Sequence, residues 1–117
     1  MNTKRQSKVA RLIQKELADI FQRKGRNLFG NSLITITEVS VSPDLGMAKV
    51  YLSILGSEKH AIFSQVKSRT YDLKKDLIPR IKNLFHHIPE IVFYLDETLD
   101  HAERIERLLK ESASNGL

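Results

Sequence analysis

Lys4, Lys8, Arg11 and Lys15 recur at intervals of four, three and four residues in the opening segment KRQSKVARLIQKELADIFQRK. On a helix turning about 100° per residue they share one arc, with Arg5 beside them. Such a row does electrostatic chemistry: cations held along one accessible surface neutralise the phosphates of a polyanion. Val9, Ile13, Leu17 and Ile20 occupy the opposite arc, the stripe with which an amphipathic helix packs on a core. Packing requires that apolar stripe. It does not require the polar side to carry one sign, and a face tuned only for solubility ordinarily interleaves both. Glu16 and Asp19 enter near the stripe's end and shorten it.

A second basic group, Lys67, Lys74, Lys75, Arg80 and Lys82, follows later in the chain. Asp72 and Asp76 intervene, so salt bridges at i,i+4 with Lys75 or Arg80 are as good a reading as phosphate contact. Lys49 and Tyr51 share the polar side of an alternating segment, where a tyrosine either stacks on a base or simply covers its strand. The histidines invite a search for catalysis that fails. His86 and His87 are adjacent and diverge by about 100° on a helix, unlike an i,i+4 metal pair. Asp96, Asp100 and His101 cluster, but Asp100 serves better as a helix cap. No glycine-rich phosphate loop, H-x-x-x-H or G-x-S-x-G occurs. Catalytic residues, a metal site, a cofactor and a small-molecule substrate are therefore not expected.

The positioning elements fit in one domain. The chain has 117 residues, 41% hydrophobic and 28% charged, in the range of a globular protein with a single core. Its net charge is +5 and its pI about 9.6. That charge is uneven: residues 1–32 carry eight Lys/Arg against two acids, and residues 89–117 three against seven. The positive field belongs to the first three-quarters of the chain. Cysteine is absent, which excludes disulfides and thiolate metal sites. There is no signal-like or membrane-length apolar run, so a cytoplasmic protein without membrane contact is expected.

GRNLFGNS, residues 25–32, reads as a loop ending the first helix. LITITEVSVS, residues 33–42, is a strand whose alternation changes phase, and a bulge near Glu38 reconciles its halves. PDLG, in which Pro43 presets φ and Gly46 tolerates positive φ, turns the chain into MAKVYLSIL, a strictly alternating second strand, to make an antiparallel hairpin. Residues 57–87 are helical, interrupted at Ser68-Arg69-Thr70 and containing Pro79, which favours two helices at an angle. EIVFYLD, residues 90–96, is a third strand. A helix capped by Asp100, with Glu103 completing a D-x-x-E box, presents Ala102, Ile105, Leu108 and Leu109 as its apolar side. The domain is expected to span 1–111, with 112–117 a frayed tail. The fold class is α+β, with helices packed on one face of a three-stranded sheet in the order α-β-β-α-α-β plus a short C-terminal helix.

That order, without the last helix, is the topology of a type II KH domain. Four segments carry a closer likeness: RQSKVARLIQKELADIFQR, ITEVSVSPDLGMAKVYLS, IPEIVFYLDETLD and HAERIERLL. In this order and spacing they resemble the ribosome-binding factor A family, bacterial assembly factors of the small ribosomal subunit. The resemblance spans about residues 5–109. It implies an RNA-binding KH-like domain that binds the free 30S subunit through 16S rRNA near the 5′-terminal helix and assists late maturation and rRNA processing. The chain departs from the family at the helix junction, where SRTYDL, residues 68–73, has neither Ala nor Gly of the usual A-x-G. The kink is then expected at Thr70-Tyr71 or displaced towards Pro79.

The expected RNA-binding residues are thus Lys4, Arg5, Lys8, Arg11, Lys15, Lys67, Lys74, Lys75, Arg80 and Lys82. Two other readings stay open. A general nucleic-acid binder, such as a nucleoid or DNA-regulatory protein, would dimerise to span two half-sites on duplex DNA. A protein-interaction domain would use its acidic C-terminal helix. No exposed apolar stripe in the sequence demands a dimer, and a monomer is expected.

Overall fold

A computed structural model describes residues 3–30, 32–56, 58–85, 87–98 and 105–109. Helix α1 (Lys4–Phe29) is followed by strands β1 (Leu33–Val41) and β2 (Met47–Leu55). Helices α2 (Lys59–Ser68) and α3 (Thr70–Ile81) come next, then a 3-10 turn at Lys82–Leu84 and strand β3 (Glu90–Leu95). This is the expected α+β, type II KH-like order. Residues 105–109 are helical and exposed. The cap expected at Asp100, its partner Glu103, Ala102, the end of the domain at 111 and the tail at 112–117 lie outside the described residues.

The sheet runs β1-β2-β3, with β1 antiparallel to β2 and β3 parallel to it. The bulge falls between Ile36 and Glu38, as the phase change predicts. Its effect is physical: with one extra residue, Ile36, Val39 and Val41 all reach the core despite their broken alternation. On β2 the even positions Ala48, Val50, Leu52 and Ile54 are buried, and on β3 Ile91 and Phe93 join them. Against this face pack Val9, Ile13, Leu17 and Ile20 of α1, Val66 of α2, and Leu73, Leu77 and Ile81 of α3. Burying side chains of this size stabilises by roughly 1.5–3 kcal/mol each.

Three local expectations are corrected. Gly25 does not end α1; the helix continues to Phe29 and stops at Gly30, whose φ of 72° a side chain would disfavour. Phe29 explains the extra turn, because its buried ring lies 6.0 Å from Phe21, which in turn meets Phe93 edge-on at 6.2 Å. In the hairpin turn it is Leu45 rather than Gly46 that takes positive φ, at 58°. A Cβ at Gly46 would lie 3.2 Å from the Asp44 carboxylate that accepts from its own N–H, a tight contact that the carboxylate would relieve by shifting a few tenths of an ångström. Finally, the helix junction falls at Arg69 (φ −100°, ψ 12°), one residue before the expected Thr70-Tyr71. The hydroxyls of Ser68 and Thr70 donate to the Gln65 and Lys67 carbonyls there, ending α2 locally. Pro79 lies within α3 and does not set the junction.

Candidate nucleic-acid interface

Helix α1 begins with a capping box: Gln6 N donates to Thr3 Oγ1 at 3.1 Å and Thr3 N donates to Gln6 Oε1 at 2.9 Å. The same Gln6, 4% exposed, donates through Nε2 to the Val41 carbonyl at 2.8 Å. Further along, Gln14 Nε2 donates to the Ile36 carbonyl beside the bulge at 3.2 Å. Two glutamines thus lock the inner side of α1 to β1, and the basic stripe must face away from the sheet. Nothing in the sequence pattern singles them out; a glutamine reads as surface until its partner carbonyl is known.

On that outward side Lys4, Arg5, Lys8, Arg11 and Lys15 are all exposed. They border an open groove of about 1050 Å³ floored by Val9 and Leu12, with Asn83 across it. Over eleven residues the row extends roughly 16 Å along the helix axis. Among the described residues no carboxylate makes an ion pair with any of the five. The first turn holds no acid, so the positive end of the helix dipole adds to their field.

The second basic group is divided. Arg80 turns towards α1, where Nη1 donates to Asp19 Oδ2 at 2.8 Å and to Glu16 Oε2 at 3.1 Å. Asp19 also accepts from Arg23 Nε at 2.9 Å. Hydrogen bonds from Arg80, then from Arg23, hold the Asp19 carboxyl below its ordinary range. Asp19, followed by Glu16, raises the Arg80 guanidinium above its own. Lys24 pairs with Asp76. The intrahelical pairs expected of Asp76 are therefore replaced by contacts between α1 and α3, which run antiparallel: Lys24 meets Asp76, Glu16 meets Arg80, and the groove brings Asn83 opposite the N-terminal half of α1. Asp72 pairs with Arg69 at 3.5 Å.

Lys82 is exposed beside Asn83 at the groove end. Lys75 is exposed, Lys74 half-buried, and Lys67 sits 5.7 Å above the Phe63 ring. These three lie towards the other end of the helix pair. The two basic regions are separated by the matched charges of Glu16, Asp19, Arg23 and Arg80. Among the described residues, Arg80 alone of the ten expected positions is committed to carboxylates. His86, Asp100 and His101 lie outside the described residues, and His60 pairs with Glu97 at 3.2 Å.

Residues 5–109 match the family model of ribosome-binding factor A. The chain belongs to the ribosome-binding factor A family. Ribosome-binding factor A of Cytophaga hutchinsonii is 50% identical over 112 residues, 95% of this chain and 84% of that protein. That of Prosthecochloris aestuarii is 44% identical over 110 residues, 92% of this chain and 88% of the relative. The crystal structure of ribosome-binding factor A from Thermus thermophilus superposes with a TM-score of 0.64, covering 77% of this chain and 94% of the other. At 18% identity that likeness speaks for the fold. Family membership makes the chain a binding factor and not an enzyme. Among the described residues no helix is long and apolar enough to cross a membrane.

Proposed function

We propose that this chain is a ribosome-binding factor that binds the free 30S subunit through 16S rRNA near the 5′-terminal helix. There it assists late maturation and rRNA processing, acting as a cytoplasmic monomer that leaves before translation. The observation that carries this reading is the row of five exposed cations on α1 without a carboxylate partner among the described residues. Solubility would be served as well by a mixed face, whereas phosphate contact is served best by a single-signed one. Lys82 extends the row, and Lys67, Lys74 and Lys75 supply a second point of contact beyond the ion-pair cluster. Arg80 contributes by holding α3 to α1 rather than by touching RNA.

Double-helical RNA hides its base edges in a deep groove, so a rigid domain with spaced cations selects by shape and charge. Phosphate contacts are individually modest, which suits a factor that must dissociate when the rRNA changes conformation. The test is co-sedimentation with separated small subunits, large subunits and intact ribosomes. Travel with free small subunits alone is the expected result. Equal travel with large subunits, or affinity for random duplex DNA matching that for small subunits, would overturn it.

A further inference from the structure

The face of the sheet turned away from α1, α2 and α3 carries a second surface, remote from the α1 groove. The register sets Leu33 opposite Leu55, Thr35 opposite Ser53 and Glu38 opposite Tyr51, with Tyr94 beside Tyr51 on β3. The two tyrosine rings stack 5.4 Å apart at 25°. Leu33 is 58% exposed, Leu55 57% and Tyr94 40%. One sheet face thus presents two outward apolar pairs, the leucines and the tyrosines, with Thr35 and Ser53 between them, a spacing that suits an extended partner rather than a flat one.

Charge selects the kind of partner. Glu38 flanks Tyr51, and Asp96 spans the open face, where its Oδ2 accepts from Thr37 Oγ1 at 2.7 Å. Hydrogen bonds from Thr98 and then Thr37 keep that carboxyl below its ordinary range, so it is anionic at neutral pH. Glu90 lies at the far end of β3, and Lys49 is the one cation on these strand rows. A polyanion meeting this face would bring its phosphates against carboxylates. A guanidinium gains twice, by stacking on an aromatic ring and by pairing in planar geometry with a carboxylate.

We propose that the open face of the sheet docks an extended, arginine-bearing segment of a basic protein. One guanidinium lies on the outer face of Tyr94, another pairs with Glu38 on the opposite flank of Tyr51, and an aliphatic side chain covers Leu33 and Leu55. The proposal stands apart from RNA binding at α1, and either can fail alone.

The test is a titration of the full ¹⁵N-labelled chain with an acetylated decapeptide of alternating arginine pairs and valine pairs, each face of which carries both when extended, followed by amide shifts. Saturable shifts at Tyr51, Val92 and Tyr94, with Lys8 and Arg11 unmoved, are expected. Tyr94→Ala and Glu38→Gln should each weaken binding about fivefold, as should replacing every arginine of the peptide by lysine. Tyr94→Leu keeps an apolar cover on β3 and should lose the preference for arginine even if Tyr94→Ala does not fold. An unshifted sheet, equal binding of the arginine and lysine peptides, stronger shifts of the same amides by decauridylate, or shifts produced by protein concentration alone would each overturn the proposal.

Discussion

Gln6 is buried because both ends of its amide are used, the oxygen by the helix cap and the nitrogen by the end of β1. Gln6→Leu keeps the bulk and leaves the Val41 carbonyl without its donor. It should destabilise by about 1–3 kcal/mol in urea unfolding. Arg80 and Lys8 look alike in the sequence and differ in the fold, since Arg80 already meets two carboxylates. Arg80→Gln should therefore leave the salt dependence of RNA binding unchanged, whereas Lys8→Gln should flatten it by roughly 0.7–0.9 in log–log slope. The same cluster sets an acid limit. The folded Asp19 holds its proton less tightly than the unfolded chain does, so as pH falls the unfolded state takes up protons first. Stability present at neutral pH should decline once the pH passes below the ordinary carboxylate range, and Asp19→Asn should lessen that decline in acid melts. None of these pairings was legible beforehand, because a charge's partner across two helices is a matter of tertiary placement. The stripe itself was legible, since 3.6-residue periodicity puts its members on one side whatever α1 packs against.

At the scale of elements, the strands were the most readable. Strict alternation along β2 and a phase change in β1 predict the hairpin and its bulge, because a pleated strand must present successive residues to opposite faces. The end of α1 was misread for the opposite reason. Gly25 carries a local cost in a helix, but burial of Phe29 four residues later outweighs it. A Cβ at Gly25 meets nothing within 4 Å. Gly25→Ala should accordingly stabilise the chain by about 0.5–1 kcal/mol, read as a raised urea midpoint. At the α2–α3 junction the interruption was visible in Ser68-Arg69-Thr70, while its placement at Arg69 depends on the hydroxyl-to-carbonyl bonds that close α2.

Across the whole molecule, charge and grease are sorted by layer. Helices cover one face of the sheet and carry the cations outward; the other face carries stacked tyrosines, exposed leucines and carboxylates. The apolar residues of that open face form no stripe in the sequence, because Leu33, Leu55 and Tyr94 are far apart in the chain and share a face only through strand register. The cations of α1 and those of the helix pair form two regions divided by the Glu16–Asp19–Arg23–Arg80 cluster. Contact at both ends of the helix pair would make affinity depend on rRNA shape, since only a fold presenting phosphates at both places engages them together. The most direct measurement is the salt dependence of affinity for purified small subunits, comparing the parent chain with Lys8→Gln, Arg11→Gln and Lys15→Gln combined. Exposed positions on one helix face should leave the folded spectrum and urea midpoint intact, while the slope of log K against log salt should flatten by about two to three units. Superimposable slopes for the two proteins would show that the N-terminal cations touch no phosphate.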